Sequence, residues 1–141
     1  MSPQAKRRTS WGALLALLAS IPFWAAGMGL GAASEVDVIV LEARAMAFTL
    51  PPGPGSVGPN PPLVVAAGSN VRLEFTNRDA GVVHEFAIEA LGLATGKVRP
   101  GETAVLTFKA PGPGEYRYLC PLHGQMMEGL LMVHPRAGPA P

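Results

Sequence analysis

No stretch beyond residue 34 keeps a helical period. The chain carries 17 Gly and 15 Pro in 141 residues, and between them lie short runs rich in β-branched and aromatic residues. Runs of that kind, bounded by turn formers, predict strands. They fall here at residues 36–41, 63–66, 71–76, 82–88, 103–109, 115–119 and 130–133. Val71-Arg-Leu-Glu-Phe75 alternates cleanly, with Val71, Leu73 and Phe75 on one face. Ala104, Leu106 and Phe108 share a face in the same way. A period of two means one buried face per sheet. Strands of this number and spacing predict an all-β fold, a two-sheet β-sandwich.

The connections carry their own chemistry. Ala67-Gly-Ser-Asn70, Arg99-Pro-Gly-Glu102 and Pro111-Gly-Pro-Gly114 each turn the chain ahead of a strand, with Gly supplying positive φ and Pro fixing φ. Residues 51–62 hold six Pro and three Gly. That excludes a central strand and predicts an extended surface loop, stiff at Pro and loose at Gly. Residues 136–141 read as a disordered tail.

The N-terminus has a different composition. Lys6-Arg-Arg8 precedes an apolar run from Trp11 to Ala33 that ends in small residues. This is the layout of a secretory signal. The run is also long enough to cross a bilayer as a tilted helix. Residues 1–33 are therefore expected to be a signal peptide or an N-terminal membrane anchor, and residues 34–135 the folded domain. Either way the basic flank stays inside, so the domain is expected in the periplasm or on the outer face of the cytoplasmic membrane. Three of the 11 basic residues belong to the leader, which leaves eight against ten acids. A slightly acidic domain without a basic stripe excludes nucleic acid as a natural partner.

Cys120 is the only cysteine. A lone thiol in an exported chain cannot form an internal disulfide, and a metal would account for it. It stands in Cys120-Pro-Leu-His-Gly-Gln-Met-Met127, with His123 three residues on and Met126 and Met127 just beyond. A second histidine, His84, follows the turn Asn77-Arg-Asp-Ala-Gly81. One thiolate, two imidazoles and a thioether form a donor set that selects copper. Spacing alone lets either Met126 or Met127 supply the thioether. His134 follows the last apolar run and is expected to be exposed. Structural zinc would want a fourth strong ligand.

These residues resemble the cupredoxin family of small type 1 copper proteins. The matching segments include Val71-Arg-Leu-Glu-Phe-Thr-Asn77, Val83-His-Glu-Phe86, Pro113-Gly-Glu-Tyr116, Cys120-Pro-Leu-His123 and Met127-Glu-Gly-Leu-Leu-Met-Val133. The resemblance implies an eight-stranded Greek-key sandwich with one copper ion near one end. Its ligands would be His84, Cys120, His123 and Met127, with His123 nearest the surface. The axial Met of the family stands two residues before the Gly that Gly129 matches, which favours Met127 over Met126. Such a protein carries single electrons and is not an enzyme. By the resemblance, its partners would be redox proteins such as a c-type cytochrome, a terminal oxidase or a periplasmic reductase. The chain departs from the pattern at Glu85, where the family often has Asn, and at Pro121, where a hydroxyl residue is common. The side-chain link between the two ligand loops is therefore expected to be missing. Two other readings stand beside electron transfer. One is copper delivery or storage, suggested by Met126, Met127 and Met132. The other is an open or red-type copper site that uses Glu128.

Overall fold

The computed structural model describes residues 36–138, and within them the alternating runs become the two layers of a β-sandwich. The first sheet comprises β1 (Val36–Arg44), β2 (Ala47–Thr49), β4 (Asn70–Asn77) and β7 (Thr103–Lys109), in the order β2-β1-β4-β7. The second comprises β3 (Leu63–Ala66), β5 (Ala87–Ile88), β6 (Leu93–Ala94), β8 (Gly114–Cys120) and β9 (Gly124–His134), in the order β3-β9-β8-β5-β6. A 3-10 turn, Glu89–Leu91, joins β5 to β6. The chain passes between the sheets in Greek-key fashion, so β1 lies parallel to β4 and β3 parallel to β9. Residues 1–33, expected to be a leader or anchor, lie outside the described residues, as do residues 139–141 of the tail.

Both alternating faces turn inward. Val71, Leu73 and Phe75 are buried, and Ala104, Leu106 and Phe108 pack against the core from β7. Leu131 and Val133 face the same interior from β9. An aromatic group fills the middle. The rings of Phe48 and Tyr118 meet edge to face at 5.3 Å, and those of Phe86 and Tyr118 stack at 5.4 Å. Burying side chains of this size stabilises the fold by about 1.5–3 kcal/mol each. The Tyr118 hydroxyl donates to the Pro61 carbonyl at 2.5 Å, which pins the end of the proline-rich loop to the core. Tyr118 lies opposite Gly129, where a Cβ would overlap the end of its ring.

The strand boundaries differ from the expected ones in several places, and β1 runs past 41 to Arg44. The run 82–88 is not one strand. Only Ala87–Ile88 pairs, while His84 makes an isolated bridge to Val98. The Phe86 N–H goes to the Thr95 hydroxyl instead of a neighbouring strand. β9 starts at Gly124 and not at 130, because a bulge interrupts its alternation. β2 and β6, of three and two residues, are too short to show a period. The strand count among the described residues is therefore nine and not eight.

Candidate metal centre

β8 ends at Cys120, and the chain turns through Pro121, Leu122 and His123 before β9 begins. The His123 N–H donates to the Cys120 carbonyl at 3.1 Å and closes this turn. Cys120 then pairs with Gly124 and Leu119 with Glu128, so residues 125–127 have no partner in β8. An unpaired stretch in a ladder bends the strand and re-aims its side chains. Here it separates two adjacent methionines. Met126 is 62% exposed, whereas Met127 is fully buried in the core cluster that contains Cys120. The Asn60 amide donates to the Met126 carbonyl at 3.1 Å and its oxygen accepts from the Phe48 N–H at 3.0 Å, so the end of the proline-rich loop braces the bulge.

His84 arrives on the segment that leads into β5, which pairs with β8 through Ala87 and Leu119. His84 exchanges backbone hydrogen bonds with Val98 at 3.1 and 2.7 Å. The buried Asn77 amide donates to the carbonyls of Val82 and Val98, bracketing the His84 segment on both sides. The Glu85 N–H donates to Cys120 Sγ at 3.4 Å. The two ligand loops are thus joined through a backbone donor, which needs neither an Asn at 85 nor a hydroxyl at 121.

The three strong donors converge. One donor atom from each of His84, Cys120 and His123 lies within 4.8 Å of the others. The Nδ1 atoms of His84 and His123 are 3.2 Å apart, and the Cys120 sulfur lies 3.3 Å from His123 Nδ1. His84 and Cys120 are fully buried, and His123 is partly exposed. Burial, aided by the charge of His84 and only partly opposed by that of Asp79, lowers the His123 pKa below its ordinary 6.5. A neutral imidazole is the form that ligates a metal. The donor chemistry, soft sulfur with two imidazoles in a dry setting, fits one type 1 copper ion. Glu128 takes no part in this convergence and instead accepts from Arg117 at 3.3 Å. His134 ends β9 exposed, as expected.

One residue of the site was not foreseen. Asp79 Oδ2 lies 2.9 Å from His84 Nε2, on the side of the ring away from the metal donors. Burial raises the Asp79 carboxyl pKa, but the N–H groups of Met46 and Ala45 together with His84 outweigh it and hold it below the ordinary 3.8. The sequence signal was present in the turn Asn77-Arg-Asp-Ala-Gly81 that leads into His84.

A two-sheet sandwich with such a donor cluster at the ends of its strands defines a small copper-binding β-protein. The family model for the cupredoxin-like domain matches residues 16–133, and the chain belongs to that family. Over 116 residues it is 32% identical to the copper-containing nitrite reductase of Alcaligenes faecalis, a match that spans 73% of this chain but only 29% of that protein. Among solved structures it resembles auracyanin A, a blue copper protein of Chloroflexus aurantiacus, with a TM-score of 0.56 and 22% identity over 71% of this chain and 100% of the other. That likeness is one of fold. It also resembles the copper-containing nitrite reductase of Thermus scotoductus, with a TM-score of 0.57 and 26% identity over 74% of this chain and 29% of that one.

Proposed function

We propose that this protein carries single electrons, with Cys120 Sγ, His84 Nδ1 and His123 Nδ1 as the strong copper ligands and Met127 as the weak axial one. The observation that carries the reading is the convergence of three donor atoms within 4.8 Å, with Met127 buried in the same cluster. Bound copper would supply the one-electron couple. The chain's own part is to keep its donors still. Cys120 is held by its strand and by the Glu85 N–H, His123 by the turn, and His84 by its bridge to Val98. Donors fixed in this way have little to rearrange when the charge of the centre changes.

A carrier fits better than an enzyme. Four donors leave no open position, and Glu128, the acid that follows Met127, is engaged by Arg117. The nitrite reductases it resembles are longer than this chain, which spans about 29% of their length. Delivery or storage would call for thioethers gathered around the metal. Met127 is buried and Met126 exposed, while Met132 pairs within β9 opposite Glu115 and Val64. Pro121, Leu122 and Met126 are exposed around His123 and form an apolar rim through which a redox protein would approach. A c-type cytochrome, a terminal oxidase or a periplasmic reductase would suit it. The basic flank and apolar run at residues 1–33 support a place in the periplasm or on the outer face of the cytoplasmic membrane.

Loading the protein with Cu(II) and recording visible and EPR spectra tests the assignment. The expected result is an intense thiolate-to-copper absorption that bleaches reversibly on reduction. Cys120→Ser should lose that absorption and keep the β-sheet circular dichroism. A Cys120→Ser protein that stays blue would refute the ligand set.

A further inference from the structure

The turn between β1 and β2 is built from unsuitable residues. Ala45 and Met46 both have positive φ, 50° and 59°, with no glycine or asparagine to ease it. A two-residue hairpin of this kind favours Asn-Gly for that reason. What holds it is distant in sequence. The Asp79 carboxylate accepts from the Ala45 N–H at 2.6 Å through Oδ1 and from the Met46 N–H at 3.0 Å through Oδ2. Oδ2 also faces His84 Nε2 at 2.9 Å. The Asp79 N–H in turn donates to Asn77 Oδ1 at 3.0 Å, which sets the carboxylate in place. Two of the three partners of the carboxylate are backbone N–H groups and the third is a His84 ring nitrogen, and its side chain is only 16% exposed.

We propose that Asp79 is a positioning residue of the copper centre. It fixes the proton of His84 on Nε2, so that Nδ1 presents its lone pair to the site, and it ties that choice to the β1–β2 turn. The proposal rests on His84 being a copper ligand. A neutral imidazole carries one N–H, and a carboxylate can only accept. The partner of the remote nitrogen thus decides the tautomer and strengthens the ligating nitrogen as a donor. An amide cannot replace the carboxylate. If the side chain of Asp79→Asn puts its oxygen toward Met46 and His84, its NH2 meets the Ala45 N–H. If it turns over, its NH2 meets the Met46 N–H and His84 Nε2.

The test compares wild type, Asp79→Asn, and Asp79→Asn combined with Ala45→Asn and Met46→Gly, which relaxes the turn without restoring the carboxylate. Nitrogen-15 NMR of the metal-free proteins reads the His84 tautomer. Competition titration reads Cu(II) affinity, and voltammetry reads the reduction potential. Wild type is expected to hold Nε2–H. Both variants are expected to lose that single tautomer, to bind Cu(II) about 10- to 100-fold more weakly, and to show a raised potential. If Asp79→Asn alone fails to fold, the turn-relaxed variant carries the comparison. Recovery of wild-type affinity and potential on relaxing the turn would reduce Asp79 to a structural clip and overturn the proposal. A wild-type His84 protonated on Nδ1 would overturn it as well. Because the tautomer is read without metal, the two failures are distinct: a wild type that holds Nε2–H but binds no copper would sink the electron-carrier reading and with it any role of Asp79 at a copper centre, whereas a wild type that binds copper with Nδ1 protonated in the metal-free state would sink this proposal alone.

Discussion

At the scale of single residues, the adjacent methionines separate two kinds of role. Met127 is fully buried and Met126 is 62% exposed, so equal substitutions should have unequal effects. Met127→Leu nearly conserves volume and should cost under about 1.5 kcal/mol in stability. On the proposed assignment it removes a weak donor that stabilises the oxidised centre, so the copper protein should stay blue while its reduction potential rises. Met126→Leu should leave colour and potential close to wild type. Voltammetry on the two variants checks this, and the reverse pattern would move the axial role to Met126. Cys120, His123 and Met127 were legible because they share one short segment whose spacing survives any fold. Asp79 was not. Its partners Ala45 and Met46 lie 34 and 33 residues away, and hydrogen bonds of that range leave no periodic trace.

Among the elements, β1 carries an exception to its own pattern. Glu42 is buried, its side chain 7% exposed, between Arg44 and Arg78 at 2.7 and 3.0 Å. Burial raises its carboxyl pKa, but hydrogen bonds and charge from the two arginines outweigh that and hold it below the ordinary 4.5. A depressed carboxyl stabilises the fold above its unfolded value and loses that contribution as pH falls through the folded one. Glu42→Gln should therefore destabilise the metal-free protein by about 1–2 kcal/mol at pH 7, with the difference shrinking as pH drops below about 4.5. Chemical denaturation at several pH values measures it, and a gap that is constant with pH would exclude the linkage. Strands that alternate over many residues, such as β4 and β7, were legible for that reason. The 82–88 segment was not, because its backbone groups serve His84 and Thr95 instead of a ladder. The start of β9 was hidden by the bulge that turns Met127 inward.

On the scale of the molecule, the two-layer plan followed from alternation, whereas the pairing partners did not. Nothing in a sequence marks β3 as the parallel neighbour of β9. The near-balance of eight bases and ten acids beyond the leader gives the domain no strong field. With an apolar rim of Pro121, Leu122 and Met126 around His123, electron-transfer rates with a redox partner should depend weakly on ionic strength. Stopped-flow rates that fall steeply with added salt would indicate charge steering instead. The parallel pairings carry a further consequence, one of time. Val36 must find Asn70, and Leu63 must find Leu131, before either sheet closes. Chains dominated by such distant contacts fold in milliseconds to seconds, far more slowly than helical ones. During that interval the sulfur of Cys120, sealed from solvent in the finished sandwich, lies open to any oxidant around it. The thiol on which the centre depends is at its most vulnerable before the fold is complete, and early capture by a metal ion would shield it.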